Sequence, residues 1–483
     1  MFEKYETIVG LEIHAQLNTK SKAFAGDSTL FGQKPNTQIS VITLAHPGTL
    51  PKTNKQMVES AIKMGLATHC HINQFTLFAR KNYFYPDLPK GYQLTQDKNP
   101  ICENGFLNIS LKNNEIKKIR IQRIHLEEDA GKLLHLAEEK DSLIDFNRAG
   151  VPLIEIVSQP DIRSGEEAST YMQMIRQILK YLNICDGNME EGSLRCDANV
   201  SVRLKGTEKL GTRVEIKNLN SFRFLQKAID FEAKRQIQLI EAGRGNEIVQ
   251  ETRSFDPQKE ITTQMREKES LNDYRYFPEP DLAPLQISDE WLKNIQQSMP
   301  ILPQTFLQKM INDYKLSQYQ AQLLTEFQKV ALFFEEIIKI NSNYKHIANF
   351  IIEVVRPFWI EKDIENTSAP ISALQCSELI TLILENKVSH QVATQKIFPL
   401  LVKNTKKMPS EIAKEENLWL ENNQNELQAI IEQVLANFTD KVKEYKNGKK
   451  GLLGMFVGEV MKKTKGKADP KLVNQLVNET LSK

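Results

Sequence analysis

At 483 residues the chain is too long for one compact core, and roughly 150 residues per domain implies about three. With 63 Lys plus Arg against 61 Asp plus Glu the net charge is +2, so no global polyelectrolyte character marks a nucleic-acid partner, which must be read locally. The five cysteines, odd in number and never in a C-x-x-C spacing, argue against a disulfide framework, and no apolar run approaches the ~20 residues of a membrane span; with no signal-like leader in MFEKYETIVGLEIH, a soluble, cytoplasmic protein without a membrane partner is expected.

In TIVGLEIHAQL, strict alternation puts Val9, Leu11, Ile13, Ala15 and Leu17 on one face of a strand and Gly10, Glu12, His14 and Gln16 on the other. His69 and His71 flank Cys70 without further ligands and read as structural. RKNYFYPDLPKGYQL then combines Arg80, Lys81 and Lys90 with Tyr83, Phe84, Tyr85 and Tyr92. This is either a stacking platform for an unpaired nucleotide or adenine, or a rigid loop with its aromatics in the core.

The next strand, ending in HLEEDAGK, is out of phase with itself. Ile119 and Ile121 do not share parity with Ile124 and Leu126, which places a bulge near Gln122 and leaves open which of Glu127 and Glu128 points inward. PLIEIVS contributes Glu155. A helix opens at Ser164 with Glu167 three residues on, and its stripe runs from Ala168 to Leu182. SLRCDANVSVRL and RVEIK alternate again, exposing Arg195, Asp197 and Asn199, then Glu215 and Lys217. A second helix follows Ser221 and ends near Gly243.

The prolines of YFPEPDLAPL mark a boundary, after which the periodicity is helical to the end, with a further break at KNTKKMPSE. Residues 441–471 hold ten lysines against three acids, a local basic patch suited to phosphates or simply a solvated face.

Gathered on one sheet, the polar strand faces would present carboxylates and one imidazole, a set that makes sense around a hard cation such as Mg²⁺. Any one of these acids alone reads as an exposed, salt-bridged strand residue. No P-loop, dinucleotide glycine motif, H-E-x-x-H or nucleophile motif is present, so a nucleotide site has to be built on the sheet.

VGLEIH, RKNYFYPDLPKGYQ, HLEEDAGK, AGVPLIEIVSQPDIRS, EEGSLRCDANVSV, EIKNLNSF, DYRYFPEPDL and KGKADPKLVNQLV, in this order, resemble the GatB family of aspartyl/glutamyl-tRNA amidotransferase B subunits over essentially the whole chain. The resemblance implies an α+β fold in three parts: a cradle domain over 1–290 with an antiparallel sheet, related to glutamine synthetase and guanidino kinases, an all-α helical domain over 291–408, and a small all-α tail over 409–483 that grips tRNA. It implies a heterotrimer with an amidase subunit (A) that frees ammonia and a small linker subunit (C). It implies a kinase step in which ATP and Mg²⁺ phosphorylate the side chain of Glu or Asp misacylated onto tRNA(Gln) or tRNA(Asn).

Carried onto this sequence, Glu12, His14, Glu128 and Glu155 are the expected metal ligands, and Glu127, Asp197 and Glu215 stand nearby as cofactor-binding or second-metal residues. Lys217, Arg195, Lys81 and Lys90 are expected to meet transition-state charge, and Lys449, Lys450, Lys462 and Lys463 to meet tRNA phosphates. Many relatives carry zinc-binding cysteines where this chain has Ala25, Asp27, Ser40 and Thr43, so no structural zinc is expected and the loop is expected to be held by packing. Two other readings compete: a Mg-dependent RNA hydrolase and a non-catalytic tRNA-binding scaffold. ATP dependence separates the hydrolase from the kinase.

Overall fold

The computed structural model describes residues 2–112, 115–135, 141–267, 274–420, 424–464, 468 and 470–482. Asp273 of DYRYFPEPDL, and Lys465, Gly466, Lys467 and Asp469 of the tail motif, lie outside the described residues. The chain forms two compact units, Met1–Leu302 and Pro303–Lys483.

The first unit is built on a nine-stranded sheet: β1 (Tyr5–Gln16), β2 (His71–Ile72), β3 (Cys102–Ser110), β4 (Ile116–Glu128), β5 (Pro152–Ser158), β6 (Leu194–Leu204), β7 (Val214–Lys217), β8 (Glu251–Asp256) and β9 (Ile261–Glu267). Across the sheet the order is β9-β8-β7-β6-β1-β5-β4-β3-β2. Neighbours are antiparallel except β7 and β8. Helices α1 (Lys55–Ala67), α2 (Gly165–Tyr181) and α3 (Phe222–Glu241) supply Met57, Ile62, Tyr171, Ile175, Leu225 and Ile229 to the same core as Val9, Leu11 and Ile13 of β1. The apolar strand face is thus covered, and the polar face is left for chemistry. Ser164 and Ser221 cap α2 and α3 by accepting from Glu167 N (3.2 Å) and Phe224 N (3.1 Å).

The expected bulge lies at Gln122: Val157 pairs with Arg123, but its neighbour Ser158 pairs with Ile121. The extra residue lets Ile119 and Ile121 on one side, and Ile124 and Leu126 on the other, all enter the core. Downstream of it, alternation sends His125 and Glu127 to the polar face and Glu128 to the opposite one.

A helix α4 (Asp289–Gln297) packs on α1, with Trp291 Nε1 donating to Glu59 Oε1 at 3.0 Å, so the first unit continues beyond residue 290 to Leu302. The 19–50 segment is held by more than packing. Phe24 meets Phe78 edge-on at 5.1 Å, and Asp27 Oδ2 accepts from Ser40 N (3.1 Å), Ser40 Oγ (2.8 Å) and Thr43 Oγ1. Three of the four positions at which zinc-binding relatives carry cysteines are here hydrogen-bonded to one another. One carboxylate and two hydroxyls do not match the thiolate and imidazole donors of a structural zinc site, so the expectation of packing alone is corrected to a hydrogen-bonded knot.

The second unit is helical throughout its described residues. Helix Pro409–Glu415 packs with the helices before it, Ser410 N donating to Glu378 Oε1 at 3.1 Å, while the last helices share a separate core that begins at Leu427 and includes Ile431, Phe456, Val460, Val473 and Val477. Wider π turns at Ile351–Val355 and Ala393–Ile397 run into Pro357 and Pro399, residues that cannot donate to the helical ladder.

Candidate active site

Strand register assembles the polar face. His14 on β1 lies opposite Arg195 on β6 and Glu155 on β5, Glu155 lies opposite His125 on β4, and Glu12 lies opposite Asp197. Directly opposed side chains on one face sit close enough to interact, so four adjacent strands deliver a single cluster. His14 Nε2 lies 3.5 Å from Glu127 Oε1 and 3.2 Å from Glu155 Oε2. From the other side His125 Nε2 lies 3.8 Å from Glu127 Oε2 and 3.3 Å from Glu155 Oε2. Donor atoms of His14, Glu127 and Glu155 all fall within 4.8 Å of one another.

Charge holds the cluster together. Burial pulls the His14 imidazole down, but the hydrogen bond and charge of Glu155, with Glu127 behind it, outweigh burial and raise it to about 9. His125 is raised in the same way against its burial, by Glu155 and Glu127. Burial pushes Glu155 up, yet the two imidazoles hold it well below the carboxylate range. The imidazoles thus stand where a dication would neutralise the acids. Glu12 is different: burial and the charges of Glu155, Glu215 and Asp197 raise it, and Asn199 Nδ2 donates to it at 2.8 Å.

Beside Glu12 a second group forms. Lys217 Nζ is shared between Asp197 Oδ2 (2.5 Å) and Glu215 Oε1 (3.3 Å), and Thr252 Oγ1 donates to Glu215 Oε2 at 2.8 Å. A third group anchors Arg195, whose Nη2 lies 2.9 Å from Asp129 Oδ2; Gln16 Nε2 also donates to that oxygen (2.8 Å), and Arg148 stands 3.7 Å away. Burial alone would raise Asp129, but Arg195 and Arg148 hold it below the usual range.

Two polar cavities meet at Glu127. One, about 350 Å³, is lined by Glu12, Lys81, Arg123, His125, Glu155 and Tyr276 among others. The other, about 340 Å³, is lined by His14, Tyr83, Asp129, Arg195, Asp197 and Lys217 among others. Lys81 reaches the first from a small sheet of Ala79–Asn82, Tyr92–Thr95 and Phe277–Pro278, with its ammonium 4.9 Å from the Tyr274 ring centre. Burial lowers Lys81, but Glu127, Tyr276 and Glu155 more than compensate and raise it.

Of the residues expected at the site, Glu12, His14, Glu127, Glu155, Asp197, Glu215, Arg195, Lys217 and Lys81 converge on this face. Glu128 and Lys90 do not. Glu128 Oε1 is bound by Lys90 Nζ and by Leu94 N (2.9 Å), and the pair lines a separate small pocket with Lys22 and Gly150. The cluster therefore takes Glu127 where Glu128 was expected, because the bulge at Gln122 fixes the phase. The same phase would have exposed His125, which sequence reasoning passed over. In the aromatic loop Arg80 is committed to Glu279 (2.7 and 2.8 Å) and stacks on Tyr92 (4.3 Å), while Phe84 is 93% exposed. In the tail Lys449, Lys450, Lys462 and Lys463 are exposed; Lys449 reaches Glu444 (3.1 Å), Lys450 lies over Tyr445 (4.3 Å) and Lys463 donates to Gln433 (2.9 Å).

Residues 7–293 match the family described as the GatB/GatE catalytic domain, and residues 332–481 match the GatB domain. Relatives named as B subunits of aspartyl/glutamyl-tRNA(Asn/Gln) amidotransferase include those of Thermodesulfovibrio yellowstonii, 49% identical over 98% of both chains, and of Clostridium tetani, 45% identical over 99% of both. That of Thermoanaerobacter sp. is 47% identical over 99% of this chain and all of its own. The domain match and these full-length identities show that the chain belongs to the GatB family, the B subunits of tRNA-dependent amidotransferases.

Proposed function

We propose that this chain phosphorylates the side-chain carboxylate of Glu or Asp misacylated onto tRNA, using ATP, and presents the acyl phosphate to ammonia. The observation that carries the reading is the convergence of His14, Glu127 and Glu155 between two cavities that each carry cationic side chains. A carboxylate resists amination because its leaving group would be oxide. Transfer of a phosphoryl group to it is chiefly positioning and charge neutralisation, which this polar face is built to supply.

The donor set, oxygen-rich with one imidazole, fits Mg²⁺, which would be held by Glu127, Glu155 and His14 with Glu12 in reserve. When bound, it supplies charge neutralisation for the nucleotide phosphates. Lys81 and Arg123 line the cavity assigned to those phosphates. Arg195, braced by Asp129, and Lys217 line the cavity assigned to the aminoacyl carboxylate, where they orient it and offset its charge. The exposed tail lysines track tRNA phosphates. The relatives' names, as B subunits, support the existence of partner chains; in this reading those chains are an amidase and a small linker that complete the reaction.

The test is transfer of label from γ-³²P-ATP to Glu-tRNA(Gln) in the reconstituted heterotrimer without an amide donor. Labelled acyl phosphate on the tRNA is expected, and hydroxylamine should release its label as inorganic phosphate while leaving an unlabelled hydroxamate. Amidation without ATP, or tRNA cleavage in place of label transfer, would overturn the kinase reading.

A further inference from the structure

Strand β8 shows two unlike faces. Glu251 and Arg253 turn toward α3, where Glu232, 0% exposed, receives Arg235 (2.7 Å), Gln236 Nε2 (2.9 Å) and Thr262 Oγ1 (2.9 Å). Arg253 joins this group by bonding Glu251 Oε1 (2.7 Å) and Thr262 Oγ1 (3.0 Å), with its Nε 3.6 Å from Glu232. Thr252, between them and 1% exposed, points the other way, onto Glu215. Burying the carboxylates of Glu232 and Glu251 against two half-buried arginines is a poor way to gain stability, because desolvation offsets most of their attraction. What such a network can do is fix register. A one-residue slip of β8 would set Arg253 or Glu251 in place of Thr252 opposite Glu215.

We propose that Thr252 is a positioning residue for the Glu215, Lys217 and Asp197 group, and that the buried network on α3 holds the β8–β9 hairpin in the register that delivers its hydroxyl. Thr252 lines neither cavity. It acts through Glu215: its hydroxyl occupies Oε2 at 2.8 Å, so that Oε1 faces Lys217 and the ammonium stays shared with Asp197. Without that hydrogen bond the carboxylate can turn both oxygens to Lys217 and draw it from Asp197, at the edge of the cavity that Arg195 lines. Among the described residues, β7 and β8 are the one parallel pair of the sheet, so Glu215 and Thr252 meet through a crossover containing α3, and the helix that anchors the network is also the connection.

The inference rests on the reading of Lys217 as a group that offsets substrate charge. In the full heterotrimer, Thr252→Val is expected to lower kcat for Gln-tRNA formation about tenfold, the usual scale for losing one hydrogen bond to a charged group. The KM for ATP and the Mn²⁺ affinity read by electron paramagnetic resonance should stay at wild-type values. Thr252→Ser, which keeps the hydroxyl, should retain kcat within about twofold. A Val variant with wild-type kcat, or a Ser variant as slow as Val, overturns the proposal. Lys217→Met separates this from failure of the underlying reading: if it leaves kcat untouched, the role of Lys217 itself is wrong, whatever Thr252 does.

Discussion

Glu127→Gln weakens binding of Mg²⁺ or Mn²⁺ by at least about 100-fold, while Glu128→Gln leaves it unchanged. The neighbours differ by one position and by one face of β4. Glu127 is a candidate ligand with His14 and Glu155, and even the outer partners of metal ligands cost about 10- to 100-fold when removed. Glu128 instead neutralises Lys90; its own side chain is buried at 5% exposed and that of Lys90 is mostly covered at 13%. Loss of Glu128 leaves a mostly covered ammonium without its partner, which costs about 3 kcal/mol of stability. Denaturant titration should therefore show the deficit in Glu128→Gln, and metal titration should show it in Glu127→Gln. Reversal of the two phenotypes would mean that the phase of β4 is misassigned.

The second large effect is competition between metal and proton. The His14 imidazole sits at about 9 against an ordinary 6.5, so at neutral pH it is charged and has no lone pair for a metal. Binding must expel that proton, and the apparent affinity for Mn²⁺ should fall about tenfold for each pH unit below 9, some 100-fold by pH 7. Glu155, held well below the carboxylate range, stays ionised across this window and adds no slope. The metal-free protein should behave in the opposite sense. A raised imidazole contributes stability that is fully present below 6.5 and is lost as the pH climbs through about 9, a decline on the order of 3 kcal/mol. Proton release measured calorimetrically in buffers of different ionisation enthalpy reads the exchange directly; metal affinity independent of pH between 7 and 9 would exclude His14 as a ligand.

Much of this face was legible because β1 alternates from Val9 to Gln16, β6 from Leu194 to Val200 and β7 along its length, so the parity of Glu12, His14, Arg195, Asp197, Glu215 and Lys217 could be read residue by residue. The choice between Glu127 and Glu128 could not be read from the strand as a whole. It turns on a single inserted residue, and only Ile124 and Leu126 downstream of it carry the phase that matters. Lys90 was placed at the site by residue type, but its partner is set by how a loop returns over β4. Thr252 gave no signal, because a lone threonine in ETRSFD reads as ordinary strand composition until α3 and the parallel pairing bring it to Glu215. The knot of Asp27, Ser40 and Thr43 was visible only as missing cysteines, and its hydrogen bonds depend on a turn that alternation does not encode.

The most direct measurement is anomalous scattering from Mn²⁺ in crystals of the protein. The account predicts one strong peak bonded to His14 Nε2 and to carboxylate oxygens of Glu127 and Glu155, with Lys90 still on Glu128. A peak coordinated by Glu128, or no ordered ion on this face at millimolar Mn²⁺, would contradict it.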